Sequence, residues 1–174
     1  MAPTVRRARA PRGKTPVIER RAAHREEVSA IAAPSPAPHR NRLGMDFQAR
    51  PKGYFDGVGV AGFLRELSRH RRGKVVVIWD NGNMHKGEPI RAVLRDFDRL
   101  TLERLPPYAP DLDPVEWLWG DLRYGEMANF APRDAVHLDG VVTGHLESIR
   151  RKPERMRGFY AGAKIPLLDR GQPA

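Results

Sequence analysis

Apolar and polar positions alternate along this chain with two periods, and the changes of period mark its elements. Residues 27–32, Glu27-Val28-Ser29-Ala30-Ile31-Ala32, read as a short strand that three prolines, Pro34, Pro36 and Pro38, bring to an end. Leu43, Met45 and Phe47 alternate with polar neighbours and predict a second strand over 43–48, so a hairpin across the proline-rich segment is expected. Asp56 then stands as an N-cap ahead of Val58, Phe63, Leu64 and Leu67, which recur at helical spacing as far as the basic stop His70-Arg71-Arg72-Gly73. The run Val75-Val76-Val77-Ile78-Trp79 is too short for a helix and uniformly apolar. It has the pattern of a central strand of a parallel sheet covered on both faces.

Ile90, Val93, Leu94 and Phe97 fall at i, i+3, i+4 and i+7, predicting a second helix, and a strand over 100–105 follows. After the turn residues Pro106, Pro107, Pro110 and Pro114, Val115, Leu118, Trp119 and Leu122 outline a third helix. Leu138, Val141, Val142, His145, Leu146 and Ile149 outline a fourth, and Met156, Phe159 and Tyr160 a short fifth. This order of two strands, then helix, strand, helix, strand and helices, predicts an α/β sheet with helices on both faces.

Composition narrows the class. The 174 residues suit one domain with a core, and no apolar run approaches the roughly 20 residues of a membrane helix. Cysteine is absent, which removes disulfide scaffolds, thiolate zinc sites and cysteine nucleophiles. Lys and Arg exceed Asp and Glu by 31 to 21, a net charge of +10, and the pI is near 10.6. That excess points to a polyanionic partner, most simply nucleic acid. It is concentrated in residues 1–25, where eight basic side chains, Arg6, Arg7, Arg12 and Lys14 among them, face one acid, Glu19. The arginines have no apolar segment after them, so the segment is not a secretory signal, and its three prolines oppose the amphipathic helix of an organellar transit peptide. A solvated basic arm with contacts to DNA phosphates is the expectation.

Two polar clusters can carry chemistry. The first, Asp80-Asn81-Gly82-Asn83-Met84-His85, begins where the apolar strand ends, and functional groups of open α/β sheets collect at the carboxyl ends of strands. An Asp-Asn-Gly turn accounts for it equally well. The second is Pro106-Pro107-Tyr108-Ala109-Pro110-Asp111-Leu112-Asp113-Pro114-Val115-Glu116-Trp117. With Asp113 as N-cap, Pro114 at the first helical position and Glu116 at the third, a capping box explains Glu116 without any function. Pairing changes the balance: an Asp at a strand end and a Glu at a helix start, with 35 residues between them, make an oxygen-rich site suited to Mg²⁺ or Mn²⁺.

Residues 76–85, V-V-I-W-D-N-G-N-M-H, together with 105–119, L-P-P-Y-A-P-D-L-D-P-V-E-W-L-W, closely resemble the DDE-type transposases of bacterial insertion sequences related to the mariner superfamily. The likeness extends from Ala10-Pro11-Arg12-Gly13-Lys14-Thr15-Pro16 to residues 124–132. It implies an RNase H-like fold, with a mixed sheet flanked by helices, in which Asp80 and Glu116 are the second and third acids of a catalytic triad. Two metal ions, Mg²⁺ or Mn²⁺, held by such a triad serve cleavage at the transposon end and strand transfer into target DNA. Asn81 and His85 become supporting residues, although a turn or helix-start role suits His85 as well. Transposon ends and target DNA become the partners, with a homo-oligomer when the protein is complete and a cytoplasmic, nucleoid-associated location.

The pattern also departs from the family. Arg9 stands where Trp is frequent and Asp113 where Asn is usual. The family's first acid lies on a first strand ahead of the basic segment, preceded by a helix-turn-helix that reads the transposon ends, and neither is found in these residues. Asp46 is a poor substitute: in the sheet order 3-2-1-4-5 it lies three strand spacings from Asp80, roughly 14 Å. Asp56 is a weak one. The expectation is a basic arm over 1–25 and an incomplete catalytic domain over 26–174, with strands 2 and 4 unpaired at one edge, marginal stability and no cleavage by this chain alone. It would act as one half of a transposase whose upstream half comes by frameshifting. The alternative is a non-catalytic basic remnant that binds DNA or modulates an intact transposase.

Overall fold

The computed structural model describes residues 7, 11–14, 27–37, 42–80 and 82–167. Strand β1 (Val28–Ala37) pairs antiparallel with β2 (Arg42–Pro51) in a register that sets Ala32 opposite Phe47 and Pro36 opposite Leu43. The expected hairpin forms, but the prolines do not end its first strand: β1 runs through Pro34 and Pro36. Two residues apart in an extended chain, they turn their backbone nitrogens to the same side. That side is the edge away from β2, where no donor is lost from the ladder.

Helix α1 (Gly57–His70) starts as expected at Asp56, whose side chain accepts from the Gly59 amide at 2.8 Å. Strand β3 (Val75–Trp79) leads through a short 3₁₀ turn at Asn83–His85 into α2 (Glu88–Asp96), and β4 (Leu100–Arg104) returns parallel to β3. A second 3₁₀ turn, Pro110–Leu112, precedes α3 (Pro114–Tyr124), α4 (Ala135–Arg150) and α5 (Pro153–Gly162). No helix among the described residues is long and apolar enough to cross a membrane.

Two cores result. Val28, Ala30, Ala32, Leu43, Met45, Phe47 and Ala49 share one face of the hairpin and pack under Leu118, Leu122, Leu138, Val142, Leu146 and Ile149 of α3 and α4. The His145 ring links the three helices there: its Nε2 lies 2.9 Å from Asp121 Oδ2, and Asp121 accepts from Arg155 of α5. Gly162 fits under Trp117, where a Cβ would sit 2.7 Å from the indole. On the other face of the hairpin Ile31 packs against the second core, and polar contacts reach α1, with Gln48 donating to Glu66 at 2.7 Å and Arg71 donating to Asp46. In the second core Val60, Ala61 and Leu64 of α1 pack with Ile90 and Val93 of α2 and with Val75, Val77, Trp79, Leu100 and Leu102 of β3 and β4.

The β3–β4 pair does not have two covered faces, contrary to the uniformly apolar pattern. Val75, Val77 and Trp79 point into the second core, while Val76 and Ile78 remain 58% and 59% exposed. Apolar composition cannot tell which face has a partner. Among the described residues the sheet is divided into two pairs, β1–β2 and β3–β4, so β1 and β3 each keep an unpaired edge, as expected for the second and fourth strands.

Candidate active site

Three carboxylates meet where β3 ends and α3 begins. Parallel pairing sets the ends of β3 and β4 side by side, and the Leu105 amide extends the ladder by donating to the Trp79 carbonyl at 2.8 Å. Asp80, next along the chain from Trp79, is thereby held under the segment 105–113 that crosses to α3. A cavity of about 440 Å³ is lined by Asp80, Asp113 and Glu116 and walled by Leu105, Pro106, Pro107, Tyr108, Ala109 and Pro110.

Local bonds orient Asp80. Its Oδ1 accepts from the Gly82 amide at 2.9 Å and from His85 Nε2 at 2.9 Å, while the carboxylate stays 68% exposed. Gly82 leaves room for this arrangement: a Cβ there would lie 2.9 Å from Oδ1 and 3.2 Å from the His85 ring, so a side chain would push the Asp80 carboxylate aside. The His85 ring stacks on Trp79 with centroids 4.4 Å apart and planes 20° from parallel. Burial lowers the His85 pKa below the ordinary histidine value, against the opposing pull of Asp80, so the ring is neutral at pH 7. A proton on Nε2 for Asp80 leaves Nδ1 as a bare acceptor, and that atom is buried without a hydrogen-bond partner.

Asp113 caps α3 as the sequence predicts, accepting from the Val115 amide at 2.9 Å. The reciprocal half of a capping box is absent. The Asp113 amide donates to the Pro110 carbonyl at 3.0 Å, not to Glu116, so capping does not account for the Glu116 carboxylate. Burial raises the Glu116 pKa first, Asp113 and Asp80 raise it further, and Arg123 opposes them. Asp113 is raised by burial and by Asp80, against the Val115 amide. Tyr160 of α5 is raised by burial and by Asp113, which places its phenol beside the same negative field. Sequence reasoning recognised Asp113 only as a cap. Its charge in the site, the Trp79 platform under His85 and the close approach of Gly82 to Asp80 depend on contacts that residue spacing does not encode.

The other candidates separate cleanly. Asp46 is ion-paired with Arg71 at the end of α1, with His70 3.9 Å away, and Asp56 is the α1 cap; neither lines the cavity. Asn81 and Arg6 lie outside the described residues. Arg7, Arg12 and Lys14 are exposed, the last two in a turn closed by Lys14 N–H to the Pro11 carbonyl at 3.0 Å.

An all-oxygen, anionic donor set suits Mg²⁺ or Mn²⁺ in kind. In number it falls short: among the described residues no group of three or more His, Cys, Asp or Glu side chains is arranged to hold a metal ion.

Comparison with known proteins identifies the family and the fold. The profile of a family described as DDE superfamily endonuclease matches residues 1–137. The structure is similar to the Mos1 strand transfer complex at 15% identity and a TM-score of 0.50, over 93% of this chain and 51% of that one. It is also similar to the Mos1 mariner paired end complex with Mn, at 15% identity and a TM-score of 0.49, over 94% and 52% of the two chains. A third similar structure is the Mos1 transposase catalytic domain with raltegravir and Mg, at 16% identity and a TM-score of 0.45 over 81% and 85%. No curated protein matches. The chain spans about half the length of the strand-transfer protein, and their likeness shows the fold, which is RNase H-like. With the profile covering most of its length, this chain belongs to the DDE superfamily endonucleases.

Proposed function

We propose that this chain is catalytic machinery of an insertion-sequence transposase, with Asp80 and Glu116 as its second and third metal-binding acids. One observation carries the reading: acids from the end of β3 and the start of α3 line one cavity, where the Asp80 charge helps to raise the pKa of Glu116 and Asp113. When bound, Mg²⁺ or Mn²⁺, two ions in a complete site, supplies activation of the attacking oxygen and stabilisation of the leaving one.

The chain's own groups do the rest. Asp80 is held for ligation by the Gly82 amide and neutral His85, and Glu116 is aimed by the start of α3; the family resemblance makes Asn81 a further supporting residue. In the first step water attacks a phosphodiester and the P–O3′ bond breaks, leaving a 3′ hydroxyl and a 5′ phosphate. That hydroxyl then attacks a phosphodiester of target DNA, forming a new P–O3′ bond while the target's own P–O3′ bond breaks and a target 3′ hydroxyl is released. Arg6, Arg7, Arg12 and Lys14 bind backbone phosphates without reading bases.

The first acid is expected on a strand that pairs with the edges left open at β1 and β3 among the described residues, supplied by another transposase polypeptide, and this chain is inactive without it. The shortfall to two metal-binding acids also favours a second reading, a basic protein that binds DNA or modulates intact transposase without cleaving.

A complementation experiment decides. The chain is combined with the polypeptide encoded upstream of its first codon and assayed for Mg²⁺- or Mn²⁺-dependent cleavage of insertion-sequence ends. Asp80→Asn and Glu116→Gln are each expected to abolish cleavage and strand transfer while duplex binding persists. Steeply salt-dependent binding with no cleavage in the complemented system selects the second reading. Metal-dependent nicking by this chain alone, lost in Asp80→Ala, removes the need for an added strand.

A further inference from the structure

The segment that roofs the acids carries a residue that folding does not explain. Tyr108 sits in a turn after Pro107 with φ of +59°, the left-handed position that turns of this kind give to Gly or Asn. A tyrosine there works against the backbone, and such strain persists where a side chain has another use. Packing is not that use, since the side chain is 102% exposed. The loop is nevertheless built to hold it still. Pro106, Pro107 and Pro110 fix three backbone angles, the Leu105 amide ties one end to the Trp79 carbonyl, and the Leu112 amide closes the other onto Ala109 at 3.1 Å. Tyr108 therefore projects from a stiff arch whose feet stand on the strand of Asp80 and the helix of Glu116, on the wall of their cavity.

We propose that Tyr108 is a stacking platform for an unpaired nucleobase beside the scissile phosphate, so that the site prefers DNA with locally separated strands to continuous duplex. The proposal rests on the nucleic-acid reading above and adds the state of the strand that the site accepts. A rigid aromatic ring with a free face is suited to a splayed base, because every base has a π-face and little ordering remains to be done on binding. The phosphates meanwhile need basic groups, so stacking and charge are separable.

The test measures binding by the full 174-residue chain, in Mg²⁺ buffer, of two probes of one sequence: a blunt duplex, and the same duplex with a three-nucleotide unpaired 3′ end carrying 2-aminopurine. The wild type is expected to bind the unpaired end more tightly, on the order of tenfold, with quenching of 2-aminopurine fluorescence. Tyr108→Ala should lose both the preference and the quenching while blunt-duplex affinity is unchanged, and Tyr108→Phe and Tyr108→Trp should keep both. Tyr108→Gly should raise the melting temperature by relieving the left-handed strain and lose the preference, a combination that a structural role for the ring would not produce. Equal wild-type binding of the two probes, or an Ala variant that retains the preference, overturns this inference alone. A wild-type chain that binds neither probe overturns it together with the nucleic-acid reading.

Discussion

The two cores differ in how completely they are closed, and the acids of the candidate site come from both: Asp80 from beside one, Asp113 and Glu116 from the helix that packs in the other. Under α3, α4 and α5, the side chains of Leu118, Leu122, Leu138, Val142, Leu146 and Ile149 have no exposure at all. Across the molecule β3 and β4 are covered on one face by α1 and α2, while Val76 and Ile78 face outward and the β3 edge is unpaired. Glu116 thus takes its position from a finished core. Asp80 takes its position from a strand with an open face, and relies on short-range devices, the Gly82 amide and the His85–Trp79 stack, to stay in place. A site at such a seam is responsive to whatever closes the open side.

The strongest way to break this contrast is to cavitate each side in turn. Leu118→Ala should cost about 2–5 kcal/mol in urea denaturation and loosen α3, α4 and α5 together. Leu64→Ala should speed hydrogen exchange in β3 and β4 while α4 amides stay protected. Identical loss of protection across both cores in the two variants would show that they open as one unit.

A smaller effect sharpens the electrostatic side. Glu116 and Asp113 have folded-state pKa values raised above the unfolded ones, so the folded chain binds more protons and stability falls as pH rises through that interval. Glu116→Gln should therefore raise the melting temperature by a few degrees at pH 7, with the gain vanishing near pH 4. His85 acts in the opposite sense. Its lowered folded pKa makes stability fall as pH drops below about 6.5, the unfolded value, and His85→Ala should flatten that part of the profile. A pH-independent difference between the Gln variant and wild type would mean that the Glu116 carboxyl is not raised in the folded chain.

The smallest change is expected at the open face: Ile78→Lys should alter the stability of this chain by no more than about 0.5 kcal/mol. In the complemented transposase the same substitution should reduce assembly, because a covered face no longer tolerates the charge. Destabilisation of the isolated chain by several times that amount would place a partner on Ile78 already.

Local signals were legible in the sequence and tertiary ones were not. The caps at Asp56 and Asp113, the strand over 75–79 and the helical stripe from Ile90 to Val93 follow from short-range chemistry, and the structure has each of them. The end of β1 was misjudged because proline breaks a strand only where its nitrogen faces a partner, and which way Pro34 faces depends on pairing. The same missing information made residues 75–79 look covered on both sides. In the site, the spacing of Asp80 and Glu116 suggested their meeting, but the cavity they share with Asp113 and residues 105–110 depends on how the chain folds back between β4 and α3.

Those two strand prolines also shape how chains can meet. Pro34 and Pro36 leave only the first half of the outer edge of β1, around Ala30 and Ala32, able to donate hydrogen bonds to a newcomer. A long strand cannot lie along the whole edge, and a slipped one meets a proline in place of a donor. The edge therefore acts as a length gauge: it admits a short strand in one alignment and denies neighbouring copies the continuous ladder from which fibrous stacking grows.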